Sequence, residues 1–373
     1  MALIRSHNLS IGIVGLPNSG KSTIFNALTK SAIPAENYPF CTIDKNIGVV
    51  KLSDPRLDRL AALLNPQKIV PSALTFVDIA GLVEGASKGE GLGNQFLGHI
   101  REVSACMYVI RAFQSEAITH VYDRVSPADD LKIVRSELIL KDIETVERKL
   151  HDVMSRSKAG ATGDITAHTN MLEKVLAGLN DEIPAISVEL SEEEREVLGD
   201  LWLLTDKPPL YVLNIKGGAD EEQVSTWKEE VKSCIDVKDA EFIVPVDCKM
   251  EVELDGLSKE ERAELQAMVS QYQGVENLIE IARKRLNLVT FYTGNEKEAN
   301  AWTIQKGATI KEAAGVIHTS LESGFVAAEI IAFEDLISSG GWLQARVAGV
   351  MKNVGKDYIV ADGDCVNILA HKE

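Results

Sequence analysis

The chain alternates short apolar runs with segments whose apolar residues recur every three or four positions. This alternation predicts an α/β protein. Residues 9–15, LSIGIVG, form an Ile- and Val-rich run that is typical of a strand buried in a parallel sheet. Residues 21–30 repeat apolar side chains at helical spacing. Apolar runs at 73–82, 210–214 and 240–254 predict three more strands.

From residue 131 to about residue 205 the pattern changes to apolar residues at alternating spacings of four and three, which predicts two helices packed as a coiled-coil arm. Residues 157–164, SKAGATGD, are the predicted tip of this arm. The positions that carry the pattern are Ile139, Ile143, Val146, Leu150 and Val153, followed by Met171, Val175 and Leu179 on the returning helix.

The two sides of the arm differ in charge. Residues 131–158 contain seven Lys or Arg and five Asp or Glu, whereas residues 181–200 contain eight acidic residues and Arg195. One interpretation is that two helices present complementary, solvated faces. The other is a protruding arm whose basic side contacts RNA or a partner protein through Lys132, Arg135, Lys141, Arg148 and Lys149.

The C-terminal part returns to strands and helices. The predicted elements are a strand at 301–307, a helix at 308–321 with Thr309 as its N-cap, and strands at 324–333 and 356–369. A strand, a helix and two further strands within about 85 residues fit a small β-grasp unit.

Residues 15–22, GLPNSGKS, match the pattern GxxxxGK[ST] between a predicted strand and a predicted helix. Glycines allow backbone N–H groups to turn toward a phosphate, and the helix N-terminus adds a positive dipole end. Lys21 is expected to reach the β- and γ-phosphates of a nucleotide. The nucleotide-binding residues predicted in this loop are Gly15, Asn18, Ser19, Gly20, Lys21, Ser22 and Thr23.

Two further segments predict the remaining parts of a nucleotide switch. The strand at 73–82 ends in Asp78-Ile79-Ala80-Gly81, where Asp78 is expected to support Mg²⁺ and the Gly81 N–H to face the γ-phosphate. The segment NYPFCTID supplies Thr42, whose hydroxyl can join the magnesium shell while the γ-phosphate is present. The predicted metal ligands are therefore Ser22, Thr42 and Asp78.

The base-reading segment argues for adenine. Guanine-specific relatives carry Asn-Lys-x-Asp, but here the segment that begins at Asn214 has Gly217 in the fourth position and no carboxylate. We therefore expect ATP as the nucleotide, with Asn214 and Ile215 facing the base. GTP stays possible if Asp220 or Glu221 takes over the guanine-reading role.

Composition narrows the class of protein. A formal net charge of −17 over 373 residues disfavours non-specific binding of nucleic acid. The five cysteines are scattered, with no CxxC pair, which indicates reduced thiols in a cytoplasmic protein. The N-terminal sequence predicts neither a signal peptide nor a membrane span.

Four stretches carry a resemblance to a known family: GLPNSGKSTIFNALT, NYPFCTID, DIAGLVEGASKGEGLGNQFLGHIREV and AWTIQKGATIKEAAGVIHT. Together they resemble the YchF family of Obg-related P-loop proteins, also called Obg-like ATPases. The resemblance implies a GTPase-type P-loop NTPase domain at 1–130 and 206–287, a helical coiled-coil insertion at 131–205, and a β-grasp TGS domain at 288–373. It also implies a preference for ATP over GTP and association with the ribosome or ribosomal RNA through the arm and the TGS domain.

The attacking water needs a group that orients it. Many switch GTPases carry a glutamine after the DxxG glycine, but Leu82 stands there and cannot hold a water molecule. The resemblance offers His120, which otherwise is a surface-loop histidine. The catalytic residues predicted on this basis are Lys21, Gly81 and His120.

These observations predict a Mg²⁺-dependent ATPase that converts ATP and water to ADP and phosphate slowly and acts as a nucleotide-dependent switch on the ribosome. The expected form is a cytoplasmic monomer with no membrane partner. Two alternatives stay open: an Obg-class GTPase, and a non-hydrolytic ATP sensor or scaffold, which Leu82 favours.

Overall fold

The computed structural model describes residues 9–29, 46–79, 98, 100–114, 124–158, 165–216, 219–254, 257–258, 261 and 274–371. Its strands, in chain order, are β1 (Ser10–Val14), β2 (Ile47–Lys51), β3 (Lys68–Val70), β4 (Ala73–Asp78), β5 (Ala105–Arg111), β6 (Pro209–Asn214), β7 (Ile243–Val246), β8 (Leu288–Gly294), β9 (Glu298–Gln305), β10 (Phe325–Ala332), β11 (Lys352–Val354) and β12 (Asp364–Ala370).

The α-helices follow the same order. They are α1 (Lys21–Thr29), α2 (Pro55–Leu64), α3 (Pro127–Lys158), α4 (Ile165–Asn180), α5 (Glu192–Gly199), α6 (Glu221–Lys232), α7 (Cys248–Glu253), α8 (Val275–Arg285), α9 (Ile310–Ile317), α10 (Thr319–Ser323), α11 (Phe333–Ser339) and α12 (Trp342–Val347).

The first sheet has the strand order β2-β4-β1-β5-β6-β7. All neighbours pair in parallel except β2, which pairs antiparallel with β4. Strands β1, β5 and β6 are buried along their whole length, because helices cover both faces of the sheet. The GTPase-type P-loop α/β fold predicted from the sequence is confirmed at this level.

Each face of the first sheet has its own apolar core. Helices α1 and α8 cover one face with side chains such as Ile24 and Leu278. The first turns of α3, with Leu131 and Val134, share the other face with Trp227 of α6. Helix α3 therefore starts packed on the first sheet before it continues as the first helix of the arm.

The arm is built from α3 and α4, which pack on each other around a core of their own. The buried residues of this core include Ile139, Val146, Met171, Leu172, Val175 and Leu179. Helix α5 closes the return path and begins with a capping box in which the Ser191 hydroxyl and the Glu194 carboxylate each accept a backbone N–H of the other residue. The apolar positions that predict the arm from the sequence are thus the positions at which the two helices meet.

The second sheet has the order β11-β10-β12-β8-β9-β3. Strands β8 to β12 come from the C-terminal part of the chain, whereas β3 comes from residues 68–70 and pairs in parallel with β9. These residues fall within the range 1–130 that the sequence assigns to the nucleotide-binding domain. The predicted domain boundaries stay a prediction, but the hydrogen bonds place β3 in the C-terminal sheet.

Two local predictions differ from the structure and one agrees with it. The run at 240–254 is a strand only over Ile243–Val246, because the Asp247 carboxylate accepts the N–H groups of Lys249 and Met250 and starts a helix. The last strand begins at Asp364 rather than at 356. The N-cap at Thr309 is confirmed, with a full capping box to Glu312.

Across the described parts of the chain, no helix combines the length and apolar character that a membrane crossing requires.

Candidate functional site

The phosphate loop connects β1 to α1 and depends on glycine at both ends. A Cβ atom on Gly15 would lie 2.4 Å from the carbonyl oxygen of Val109, so only glycine fits against β5. Gly20 has a φ of +103°, and a Cβ there would lie 2.1 Å from Nδ2 of Asn214. The loop is therefore held against the ends of two neighbouring strands, with Asn18 exposed at its outer edge.

Lys21 is 8% exposed, and its ammonium group lies inside the loop. Nζ donates to the carbonyl oxygens of Leu16, at 2.8 Å, and Gly15, at 3.2 Å. Burial lowers the pKa of Lys21, and the charge of Asp78 opposes part of that shift. Because a bound phosphate would favour the charged amine, this position suits an anion that arrives between the loop and the lysine.

Ser22 and Asp78 bring two oxygen donors together at the start of α1. The Ser22 hydroxyl donates to Oδ2 of Asp78 at 3.3 Å, and the two residues come from segments 56 positions apart. Burial raises the pKa of Asp78, while the Ser22 hydrogen bond and the charge of Lys21 act in the opposite direction. Thr23 follows half-buried in the first turn of the helix.

These donors fit Mg²⁺. Hydroxyl and carboxylate oxygens are hard ligands, and Mg²⁺ commonly keeps waters and nucleotide phosphates in its remaining positions. A divalent cation would also reverse the effect of burial on Asp78 by favouring its carboxylate.

Asn214 lies at the carboxyl end of β6 and is 5% exposed. Its Nδ2 donates to the backbone carbonyl of Ser19 at 2.8 Å, and this bond ties the end of β6 to the phosphate loop. The sequence predicts that Asn214 faces the base, and it does not predict this contact. The feature that indicates this contact is the approach of the buried Asn214 amide to Gly20. That approach occurs only in the folded chain and cannot be read from the sequence.

The surroundings of the predicted base site contain two described carboxylates. Ile215 follows β6, packs partly buried against the core, and donates its N–H to Val246 at 3.0 Å. Asp220 is exposed and serves as the N-cap of α6. Asp247 is 5% exposed and follows Val246, which pairs in register with Asn214. The base-facing roles of Asn214 and Ile215 stay predictions.

A small pocket lies behind the phosphate loop, between the loop, β5 and the start of α3. Gly15, Leu16 and Ser19 line one side of it, and Leu131 and Val134 of α3 line the other. The Ser19 hydroxyl is buried and has no hydrogen-bond partner among the described residues. The first turns of α3 therefore lie on the opposite side of this pocket from the phosphate loop.

The structure brings together seven predicted loop residues with Asp78 and Asn214. The seven are Gly15, Asn18, Ser19, Gly20, Lys21, Ser22 and Thr23. Three other predicted site residues, Thr42, Gly81 and His120, lie outside the described residues, as do Leu82 and Gly217.

Two family models match the chain. One, described as "50S ribosome-binding GTPase", matches residues 10–149, which include the phosphate loop and Asp78. The other, YchF-GTPase_C, described as "Protein of unknown function (DUF933)", matches residues 288–371, which include β8 to β12. The first match covers β1 to β5 with most of α3, and the second covers the C-terminal strands β8 to β12.

Relatives match nearly the whole chain. The Ribosome-binding ATPase YchF of Escherichia coli O157:H7 is 46% identical over 359 residues, which cover 96% of this chain and 98% of that protein. The protein of the same name from Bacillus subtilis strain 168 is 45% identical over 363 residues, or 96% of this chain. The structure of the Schizosaccharomyces pombe YchF GTPase superimposes with a TM-score of 0.82 at 35% identity, covering 99% of this chain and 100% of that one. The phosphate loop, the two sheets and these full-length similarities together show that the chain belongs to the YchF family.

Proposed function

We propose that this protein is a Mg²⁺-dependent P-loop ATPase that hydrolyses ATP slowly and works as a nucleotide-dependent switch on the ribosome. The observation that carries the proposal is the arrangement of Lys21 inside the phosphate loop beside the Ser22–Asp78 pair. The relatives named Ribosome-binding ATPase, which match 96% of the chain, support the choice of reaction and partner.

Each described residue of the site has a role in this reaction. The loop N–H groups and Lys21 bind the phosphates, and Lys21 stabilises the negative charge that develops on the transferred phosphoryl group. Asn214 keeps the loop in its binding shape through its bond to Ser19. Ser22 and Asp78 would hold Mg²⁺ together with Thr42. When bound, the ion would supply positive charge that offsets the negative charge of the phosphates.

The rate of hydrolysis depends on how the attacking water is held. Leu82 replaces the glutamine that orients this water in many GTPases, so the intrinsic reaction is slow. His120 is the residue we assign to the water, and the Gly81 N–H is the group we assign to the γ-phosphate. The slow intrinsic rate leaves room for an activating partner to raise it.

The missing carboxylate at Gly217 supports ATP as the nucleotide. GTP is the alternative. Asp220 is the first described carboxylate after the carboxyl end of β6, and Asp247 follows the end of the neighbouring strand β7. Both already serve as helix N-caps, since Asp220 accepts from Glu222 and Asp247 from Lys249 and Met250. A carboxylate that caps a helix is less available to accept hydrogen bonds from guanine N1 and N2.

Ribosome contact is assigned to the arm and to the C-terminal sheet, for which we propose a TGS-type role. Lys132, Arg148 and Lys149 are exposed on α3 and available to RNA phosphates. Arg135 instead donates to the carbonyl of Cys234, and Lys141 pairs with Glu144, so these two cations are engaged within the chain. The basic contact surface of the arm is thus smaller than the sequence count indicates.

Single-turnover hydrolysis of ATP by the full chain with Mg²⁺, in the presence and absence of ribosomes, tests this proposal. We expect slow phosphate release that ribosomes accelerate. Lys21→Ala should abolish it, and Lys51→Ala, which removes an exposed lysine at the end of β2, should leave it unchanged. His120→Ala should lower the rate by roughly tenfold or more while ATP binding persists.

The non-hydrolytic alternative predicts a different result. A sensor or scaffold would bind ATP with Lys21-dependent affinity and release no phosphate even with ribosomes. A hydrolysis rate that survives Lys21→Ala would instead place the reaction outside this loop and would contradict the proposal.

A further inference from the structure

The connection between β2 and β4 belongs to both sheets of the molecule. Strands β2 and β4 pair antiparallel over the register Ile47↔Val77 to Lys51↔Ala73 in the first sheet. The chain between them carries α2 and β3, and β3 pairs in parallel with β9 of the second sheet over Lys68↔Glu298 to Val70↔Asn300. We call residues 52–72 the bridging segment.

Apolar contacts fix the bridging segment to the C-terminal sheet. Leu57 and Leu60 of α2 are 4% and 0% exposed, and they share one core cluster with Tyr292 and Phe333. Gly294 leaves space for Leu64, because a Cβ there would lie 2.5 Å from Cδ1 of that leucine. Helix α2 is thus part of the core of the C-terminal sheet, although it lies far from it in sequence.

Polar contacts fix the same boundary. Arg56 donates to Asp362 at 2.7 Å and also to Asp54, which accepts a hydrogen bond from the Tyr292 hydroxyl. Burial raises the pKa of Asp54, but the bonds from Arg56 and Tyr292 outweigh it and leave the pKa below its ordinary value. A second ion pair joins Arg59 to Glu334 through two bonds of 2.8 Å.

The opposite end of the β2–β4 hairpin lies at the phosphate loop. The N–H of Asp78, the last residue of β4, donates to the carbonyl of Asn46 at 2.8 Å, and its carboxylate accepts the Ser22 hydroxyl. At about 3.3 Å per residue, the hairpin spans roughly 15–20 Å. One end therefore contacts the site that would hold magnesium, and the other end leads into the bridging segment, whose β3 belongs to the second sheet.

We propose that the β2–β4 hairpin and the bridging segment transmit the nucleotide state of the phosphate loop to the C-terminal sheet. Shifts of Asp78 move the strands that carry the bridging segment, and a hydrogen-bonded hairpin transmits such shifts as a unit. This coupling is reciprocal. A change that strengthens or weakens the attachment of the bridging segment to the C-terminal sheet should therefore also change the ratio of the protein's affinities for ATP and ADP. The inference rests on the proposed nucleotide binding and adds a route from that site.

Hydrogen exchange of the full chain tests the route. Three states are compared: no nucleotide, Mg²⁺ with ADP, and Mg²⁺ with a non-hydrolysable ATP analogue. Amides of Ser19–Thr29 report nucleotide binding, those of β3 and β9 report the C-terminal attachment, and those of α4 report the arm. We expect exchange in β3 and β9 to differ by about fivefold or more between the ADP and ATP-analogue states, with α4 unchanged.

A pair of core variants shows whether the bridging segment carries the effect. Leu60→Ala opens a cavity between α2 and the C-terminal sheet, whereas Ile330→Ala opens one in the other core of that sheet, away from α2. We expect Leu60→Ala to abolish the nucleotide-dependent difference in β9 and Ile330→Ala to keep it. If Leu60→Ala does not fold, the double variant Arg56→Ala and Arg59→Ala replaces it, with Arg346→Ala as the control within the C-terminal sheet.

The outcomes distinguish a failure of this inference from a failure of the proposed function. Protection of Ser19–Thr29 with identical exchange in β3 and β9 in both nucleotide states would overturn the inference alone. Absence of protection at Ser19–Thr29 with either nucleotide would overturn the proposed function and the inference together. Equal loss of the difference in Leu60→Ala and Ile330→Ala would show a general loosening of the sheet and would also overturn the route.

Discussion

The arm and the C-terminal sheet are both joined to the nucleotide-binding sheet, but by different kinds of contact. The arm continues one helix, α3, whose Leu138 lies in the core of the first sheet and whose Ile139 lies in the core of the arm. The C-terminal sheet instead receives a helix and a strand from inside the nucleotide-binding region, namely α2 and β3. The attachment of the C-terminal sheet therefore involves the cores of both sheets. It begins at the β2–β4 hairpin, whose other end lies beside the phosphate loop.

Hydrogen bonds and an ion pair hold the base of the arm together. The buried carboxylate of Asp142 accepts the N–H groups of Leu204 and Thr205 at 2.8 Å and the Thr205 hydroxyl at 2.7 Å. Arg195 adds bonds to Asp206 and to the carbonyl of Ala185. The arm is thus attached where its two helices return, whereas the C-terminal sheet is attached through the β2–β4 hairpin, which contacts the phosphate loop.

The largest effect is expected from deleting core side chains on each side of this comparison. Leu60→Ala and Leu172→Ala each remove a leucine that is at most 2% exposed, and each should lower the free energy of unfolding by about 2–5 kcal/mol. Denaturant unfolding measures the loss, and hydrogen exchange locates it. Leu60→Ala should loosen β9 and leave α4 protected, and Leu172→Ala should do the reverse. Loosening of both regions by either variant would contradict separate attachments.

Removing the hydrogen bonds of Asp142 at the base of the arm should have the next largest effect on stability. Asp142→Ala leaves the N–H groups of Leu204 and Thr205 buried without their acceptor, which should cost about 2–3 kcal/mol of stability in the arm. Thr205→Val keeps the backbone bonds to Asp142 but removes a hydroxyl that donates to Asp142 and accepts the N–H of Ala185, so a loss of about 1–2 kcal/mol is expected. Thermal unfolding of both variants checks the order. Equal losses would show that the backbone bonds of Asp142 contribute little.

The two attachments should respond to pH in opposite directions. Burial raises the pKa of Asp142 to about 6, so the native arm binds more protons than the unfolded chain between about pH 4 and pH 6, and its stability falls as pH rises through that window. The size of this change is of order 1–3 kcal/mol. The pKa of Asp54 is lowered, so its contribution is present above its unfolded pKa and is lost as pH falls through its lower, folded pKa.

Unfolding measured across this pH range, with region-specific exchange, checks the signs. Acidification from pH 7 to pH 5 should stabilise the base of the arm and leave the contacts around Asp54 unchanged. Asp142→Asn should flatten the pH dependence of the arm, because its side chain does not titrate. A wild-type arm whose stability rises from pH 4 to pH 6 would contradict the assignment.

The smallest effect is expected at the surface. Arg59 and Glu334 are 48% and 71% exposed at their side chains, so Arg59→Ala should change stability less than any variant above. Arg346→Ala breaks a similar two-bond pair with Glu329 inside the C-terminal sheet and serves as its match. The sharper readout is nucleotide-dependent exchange in β9, which only Arg59→Ala should reduce. If Arg346→Ala reduced the nucleotide-dependent exchange in β9 equally, the Arg59–Glu334 pair would differ in no way from the Arg346–Glu329 pair.

The parts of the fold that depend on local signals were predictable from the sequence. The phosphate loop follows from glycine, lysine and serine at fixed spacing, and the α9 cap follows from Thr309 three residues before Glu312. Helix packing in the arm follows from its apolar spacing. The strand predicted through 254 was wrong beyond Val246, because the alternation of apolar and polar residues continues while Asp247 begins a helix.

The parts that depend on distant contacts were not predictable. Strand β3 has only three residues, and its partner β9 lies more than two hundred positions away in the chain. No periodicity can indicate such a pairing. The bond from Asn214 to Ser19 was missed for the same reason, since it depends on the approach of Gly20 to the end of β6.

The measurement that tests the central claim most directly is equilibrium binding of ATP and GTP to the full chain with Mg²⁺, beside Lys21→Ala. We expect ATP to bind more tightly by at least about tenfold, which corresponds to about 1.4 kcal/mol, and Lys21→Ala to lose both nucleotides. Tighter binding of GTP would show that a carboxylate such as Asp220 or Asp247 reads guanine in place of the missing one. It would contradict the proposal that this chain is an ATPase.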